Sequence, residues 1–346
     1  MMTTLASSTS KRPDWYWTLS EFEQADLKKA LWQIVNTLIP YSALWYLMIQ
    51  SVQLGYPYWM TLLLIILAAG LFARIFIIFH DCTHNSFFSS RQANTLLGYI
   101  CGILTFTPFT SWQRAHTIHH ATAGNLDRRG VGDVPTLTVQ EYFAAPRSKQ
   151  IGYRLLRNPF VLFLLGPLYI FILSPRFPRR GNSPQERLSV YITNLGILAG
   201  LLVVSWIADL RTYLIIQLPL LLIAGALGLW LFYVQHQFHT VYWARSDEWD
   251  KIEAAMKGSS FYKLPKVLQW FSGNIGFHHI HHLRPRIPNY SLESCYKKIP
   301  ALQQVKPLTP RQSLKSLHLN LWDEKQKRLI GFREAERLQH ETRGTL

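Results

Sequence analysis

Eleven of the chain's thirteen histidines fall into four short clusters: His80 and His84; His116, His119 and His120; His236 and His239; and His278, His279, His281 and His282. Imidazole binds zinc, iron, copper and nickel, so the donor type alone leaves the metal open. The spacing says more. Residues three and four apart share one face of a helix, so HxxxH and HxxHH aim two or three rings at the same point. A lone histidine on an apolar face is ordinarily a satisfied core residue; four clusters with matching spacing are better explained by a shared metal site. A catalytic zinc ion takes three protein ligands and a structural one four. Nine or more imidazoles therefore suit two ions.

The elements that must position these rings are hydrophobic. Residues 31–52, 190–208 and 213–234 carry no charged side chain, and 57–79 carry only Arg74. Each run approaches the roughly 20 residues with which a helix crosses a bilayer, and helices apolar on every side read as spans rather than as core helices. The 346 residues are 49% hydrophobic and 16% charged, more apolar than a soluble enzyme of this length needs. The turns at 53–56 and 209–212 hold only Asp209 and Arg211, whereas the segment before the first span, 80–157 and 174–189 are rich in Lys and Arg and belong on the cytosolic side. Two shorter apolar stretches, 96–109 and 159–173, read as interfacial or re-entrant, because a full crossing would carry one histidine cluster away from the others.

The expected fold is thus an all-α integral membrane protein. Four transmembrane helices form two hairpins, and a cytosolic helical cap carries the di-metal histidine site. Residues 1–30 are a cytosolic amino-terminal segment without the apolar stretch of a signal peptide. Residues 31–290 are the membrane domain, and 291–346 a basic cytosolic tail with a charged helical pattern from about 311 to 339. The net charge of +16 is read first as the positive-inside bias of a membrane protein; no nucleic-acid-binding motif accompanies it. Cys82, Cys101 and Cys295 are odd in number and widely separated, giving neither a disulfide framework nor a CxxC metal site.

No HExxH occurs, so a zinc protease lacks its general base. A metal transporter would carry ligands or acids within its spans, where Arg74 is the one charge and is expected to snorkel or to pair with Asp81. Metal-storage tracts are usually of low complexity, and these clusters are not. What remains is a redox di-metal centre at the membrane surface, for which iron and dioxygen are the usual chemistry and a lipid the natural substrate.

The boxes HDCTH (80–84), HTIHH (116–120) and HHIHH (278–282) are set in HDCTHNSFF (80–88), HHATAGNLD (119–127), FYVQHQF (232–238) and NIGFHHIHHL (274–283). From about residue 57 to 290 this pattern resembles the membrane fatty-acid desaturases, especially the bacterial acyl-lipid enzymes. The resemblance implies a di-iron enzyme that inserts a cis double bond into an acyl chain with dioxygen and two electrons. Carried over by position, the iron ligands are His80, His84, His116, His119, His120, His278, His281 and His282, with His236 as the ninth. His239 departs from the family pattern, in which an acidic residue is common, and stands as a neighbour or an alternative ligand. His279 becomes an extra imidazole beside the ligands, Asp81 an orienter of a ligating ring, and Asn274 the holder of a metal-bound water or a helix cap.

The implied partners are a membrane lipid acyl chain and a separate electron carrier such as ferredoxin or flavodoxin, because no CxxxxCxxC or GxGxxG motif appears in the chain. The expected location is a bacterial inner membrane with the site facing the cytosol. The rival readings are a hydroxylase or ketolase of fatty acids, alkanes or carotenoids on the same scaffold, and a membrane metal transporter.

Overall fold

The computed structural model describes residues 12–344; residues 1–11 of the expected amino-terminal segment and 345–346 of the tail lie outside the described residues. A short helix α1 (Asp14–Thr18) precedes α2 (Leu27–Gln53), which starts where the Asp26 carboxylate accepts the Lys29 backbone N–H at 3.1 Å. A turn through Gly55 leads into α3 (Tyr58–Thr83), whose 26 residues reach about 39 Å at 1.5 Å per residue. Helix α4 (Arg91–Leu104) has 14 residues, about 21 Å and short of a bilayer core of about 30 Å. Helix α5 (Phe109–Thr122) follows it, then α6 (Val139–Ala144) and α7 (Arg147–Leu156).

The second hairpin is α8 (Pro184–Ala208) and α9 (Leu210–His236). Asp209 alone makes the reversal: its backbone is left-handed at φ 67°, and its carboxylate accepts the Thr212 N–H at 2.9 Å to start α9. Ile65, Ala68, Phe72, Ile75 and Phe79 of α3 pack against Ile216, Leu220 and Ala224 of α9, so these two helices form the buried axis. Helix α8 is mostly exposed, with Leu195, Leu202, Val203 and Trp206 facing outward.

Helices α3, α8 and α9 are long and apolar enough to cross a membrane, and a fourth candidate is α7 joined to 161–176 across a 65° bend. The expectation of four unbroken spans differs at α2. That helix has 27 residues, but its first half carries Lys28, Lys29, Gln33, Asn36 and Thr37, and two of these are committed to buried bonds. Gln33 donates to Asn289 Oδ1 at 3.0 Å, and Thr37 accepts from Arg74 Nε at 3.1 Å. The bent segment 159–173 winds in wide π-type turns at Val161–Leu165 and Leu168–Leu173. It lies on α9 at Gly225, where a Cβ would come within 2.7 Å of Pro167.

The cap comprises α10 (Lys251–Gly258), α11 (Lys266–Phe271), α12 (His278–Leu283) and α13 (Asn289–Lys298). Ile280 of α12 is buried among Tyr16, Leu19, Phe261, Phe277 and Leu292, so α1 backs the helix that carries the last histidine box. The molecule is mostly helical, and the cap adds a few short strands to it. Strand β1 (Leu137–Thr138) runs parallel to β4 (Leu321–Asp323), which pairs antiparallel with β5 (Arg328–Ile330); β2 (Phe261–Tyr262) runs parallel to β3 (Pro307–Leu308).

The helical run expected over 311–339 is accordingly broken into α14 (Pro310–Ser313), a 3-10 turn at Leu314–His318, the β4–β5 hairpin and α15 (Phe332–Gly344). The reason is local. Leu321, Trp322, Leu329 and Ile330 are all buried, and Asp323 accepts the N–H groups of Lys325 and Gln326 to close the turn.

Candidate metal centre

Four helices end or pass at one level of the molecule and deliver the histidines there. His80 occupies the last turn of α3 and His84 its C-cap, His116, His119 and His120 lie on α5, His236 closes α9, and α12 begins at His278. The nitrogen donors sort into two groups, each within 4.8 Å: His80, His84, His116, His120 and His281 in one, and His119, His236, His278 and His282 in the other. Helical spacing explains the sorting. Positions 116 and 120 share a face, as do 278 and 282, while 119 and 281 project to the side. Helices α5 and α12 therefore each serve both groups and lock them side by side.

In the first group Nε2 of His116 lies 3.0 Å from Nε2 of both His80 and His120, and His281 Nε2 lies 2.9 Å from that of His120. In the second, His236 Nε2 lies 3.1 Å from His119 Nε2 and 3.0 Å from His278 Nε2, which is 3.1 Å from His282 Nε2. The rear nitrogens of three rings have acceptors of their own. His80 Nδ1 faces Asp81 Oδ1 at 3.2 Å, His119 Nδ1 faces Asp133 Oδ1 at 2.7 Å, and His236 Nδ1 faces the Gly258 carbonyl at 3.3 Å. A neutral imidazole has one N–H. With it spent on these acceptors, the Nε2 lone pairs of His119 and His236 face each other in the second group and that of His80 points into the first, the arrangement a bound cation would satisfy.

His84 Nε2 is likewise buried without a protein partner. Burial first, and neighbouring imidazoles second, hold His84 and His116 far below the usual histidine range. The same two causes act on His120, His278, His281 and His282. Burial thus favours the neutral form of these six rings, which is the form that binds metal.

The other candidates fall elsewhere. His239 is exposed and outside both groups, so it is a surface neighbour rather than an alternative member of the cluster. His279 is buried behind α12, 5.9 Å from the Phe261 ring and 6.2 Å from Tyr296, and burial pushes its pKa down to about 3. Asn274 holds a left-handed backbone at φ 58°, donates to the Asn289 carbonyl and accepts from Gln269; it braces the loop before α12 instead of capping that helix. Asp81 faces His80 with one oxygen, while its other oxygen accepts both the backbone and the side-chain N–H of Asn289, at 2.6 and 2.8 Å. Arg74 does not pair with Asp81: it reaches Thr37 and the Trp270 carbonyl, with its guanidinium 4.2 Å from the Trp270 ring centre.

Sequence reasoning missed Asp133 and Gly258. Asp133 ends a Gly130-Val131-Gly132-Asp133 turn in which both glycines have positive φ, and its Oδ2 is anchored by the Gly130 N–H at 3.1 Å. That turn chemistry is legible in sequence, but the ring it supports lies 14 residues away. Trp112, stacked on His116 at 4.2 Å, and Phe232, 5.3 Å from His236 and 5.4 Å from His119, place one aromatic wall on each group.

The sequence model of the fatty acid desaturase family matches residues 57–311, a span that holds both histidine groups. The chain belongs to the fatty acid desaturase family. This desaturase is 46% identical to a fatty acid desaturase of Bacillus subtilis across 92% of its own length and 90% of the relative's. It is 25% identical to an sn-1 acyl-lipid omega-3 desaturase (ferredoxin) of Nostoc, over 69% of this chain and 65% of that one. With a Delta(12)-fatty-acid desaturase of Arabidopsis thaliana it shares 27% identity, over 65% and 62% of the two chains. The desaturase is therefore an oxidoreductase of fatty acyl chains whose histidine groups are able to hold metal.

Proposed function

We propose that the enzyme is a di-iron, dioxygen-dependent acyl-lipid desaturase that places a cis double bond in the acyl chain of a membrane lipid. The observation that carries this reading is the convergence of nine imidazoles in two adjoining groups of five and four at one end of apolar helices. His80, His84, His116, His120 and His281 would hold one ion, and His119, His236, His278 and His282 the other. Two iron ions bound there would supply the redox chemistry that couples reduction of dioxygen to removal of hydrogen from adjacent methylenes.

The protein's own part is to orient and to exclude water. Asp81, Asp133 and the Gly258 carbonyl fix three rings through their rear nitrogens, and such partners set both the tautomer and the ligand strength of an imidazole. Trp112 and Phe232 present apolar faces at the two groups, which suits a methylene chain and keeps bulk water from the reacting carbons.

The acyl-lipid and carrier assignments draw support from relatives named acyl-lipid desaturases, two of them with ferredoxin in the name. A separate acidic carrier would deliver electrons to the basic side of the molecule. We place the enzyme in the bacterial inner membrane with both groups facing the cytosol, residues 31–290 forming the catalytic unit and 291–346 the basic tail. The test is expression in a bacterium lacking polyunsaturated lipids, with mass spectrometry locating new double bonds. New cis double bonds that vanish in His119→Ala support the reading. Hydroxylated or keto products would assign the scaffold to the rival chemistry, and metal accumulation without lipid change would assign it to transport.

A further inference from the structure

The positive charge is distributed unevenly. Between Glu253 and Asp323 the sequence contains ten Lys or Arg residues and one carboxylate, Glu293. Many basic side chains of the cap, within this stretch and outside it, meet acids: Lys298 with Glu21, Lys327 with Glu248, Arg245 with Glu324, Arg284 with Glu23, and Lys266 and Lys297 with Glu293. Lys263, Lys306, Arg311 and Lys315 are exposed, and among the described residues none of them forms an ion pair. They are also neighbours. Strands β2 and β3 run side by side, so Lys263, whose N–H donates to the Leu308 carbonyl, lies beside the strand that Lys306 precedes and that leads into α14 with Arg311. Lys315 lies one turn further on.

The position of this face decides its partner. Tyr262 accepts from Trp230 Nε1 at 3.3 Å and meets Ser313 Oγ at 3.2 Å, while the Tyr233 hydroxyl donates to the Ser316 carbonyl at 2.9 Å. Trp230 and Tyr233 lie in the last two turns of α9, and both pack on Phe163 of the bent apolar segment. Leu314 is exposed within the basic face, and Phe160, Leu164 and Leu165 are exposed on the segment beside it. Trp and Tyr at the end of an apolar helix mark the headgroup level of a bilayer. The unpaired bases thus stand where apolar surface gives way to water.

Resting on the acyl-lipid reading above, we propose that Lys263, Lys306, Arg311 and Lys315 form a phosphate-binding face for a membrane glycerophospholipid, seating the lipid whose acyl chain the histidine groups receive. Each basic side chain at such a surface strengthens the binding of an anionic lipid by about fivefold. An acidic electron carrier is the competing occupant, and the exposed Leu314 together with the neighbouring apolar segment favours the lipid.

The test uses the full chain in neutral detergent, titrated with dihexanoyl phosphatidylglycerol below its micellar concentration and read by native mass spectrometry. Dihexanoylglycerol is the probe without phosphate. K263Q/R311Q/K315Q is expected to weaken phosphatidylglycerol binding by roughly a hundredfold, with binding of the neutral probe and the thermal transition unchanged. K298Q/K327Q, which removes bases that already have acid partners, is expected to bind as the parent does. Unchanged phosphatidylglycerol binding in the triple variant overturns the proposal. So does a variant that keeps the lipid but no longer binds reduced ferredoxin, which would assign the face to the carrier. Because the titration needs neither iron nor turnover, failure of the di-iron reading would leave its outcome interpretable.

Discussion

At the scale of single residues, the two carboxylates behind the histidines divide the work, one to each group. Asp81 stands behind His80 and Asp133 behind His119, and each has its second oxygen tied to a backbone N–H, from Asn289 and Gly130 respectively. Partners of this kind are typically worth 10- to 100-fold in metal affinity. Asp133→Ala is therefore expected to lower iron retention against a chelator by roughly that factor, with the helical circular dichroism unchanged; retention equal to the parent's would mean that His119 is oriented by its ring packing alone. Asp133→Asn should do less harm if its amide oxygen takes the place of Oδ1. His239→Ala, altering an exposed side chain outside both groups, should retain iron fully, whereas His236→Ala should not. Composition and spacing made the four clusters of eleven rings legible, because helical periodicity is a local property, and the family resemblance singled out nine of them. Asp133 was not legible as a partner, because nothing local connects it to His119.

At the scale of elements, the histidine-bearing pieces are held by a few close contacts rather than by length. Helix α12 has six residues, too few to be stable alone, and it depends on Ile280 in its core and on the loop before it. Gly276 in that loop accepts the Tyr262 N–H at 2.7 Å, and a Cβ there would collide with the Tyr262 carbonyl. Gly276→Ala must push β2 and α12 apart, at about 1–3 kcal/mol by the usual cost of overpacking. It should lower the unfolding midpoint and loosen iron more than Gly152→Ala on α7, whose position has open space around it and an ordinary helical backbone.

Arg74 does the corresponding service on the membrane side, joining α3 to Thr37 of α2 and to the Trp270 carbonyl of α11. Arg74→Ala leaves the buried Thr37 hydroxyl without its donor, while the Trp270 carbonyl keeps the Gly273 N–H, and should cost about 1–3 kcal/mol, read as a lowered denaturant midpoint; an unchanged midpoint would show that water takes over the bond to Thr37. The apolar runs foretold α3, α8 and α9 well. They did not foretell the β4–β5 hairpin, where a charged sequence that could have continued as a helix buries Trp322, Leu329 and Ile330 instead.

At the scale of the whole molecule, the reading requires all four histidine-bearing elements to lie on one side of a bilayer. In a cysteine-free background, a cysteine at Ser148 or Arg180 should resist a membrane-impermeant reagent applied to intact cells, while one at Gly55 should react. Labelling at Ser148 from outside would place α7 on the wrong side and separate α5 from α9. The purified chain should also bind close to two irons; a reproducible value near one, or zinc after anaerobic loading with iron, would remove the di-iron assignment. By itself the sequence determined the chemistry of the donors, the helices that carry them and the apolar runs, since each depends on residue type and on a period of a few residues. The tertiary structure decided which imidazole joins which group, because His119, set apart from His116 and His120 on α5, meets His236, His278 and His282 only when packing brings α9 and α12 to it. It likewise decided that α2 spends Gln33 and Thr37 on buried bonds and that two carboxylate-free segments meet at one edge of the cap, since contacts between residues far apart in the chain form only when packing brings them together.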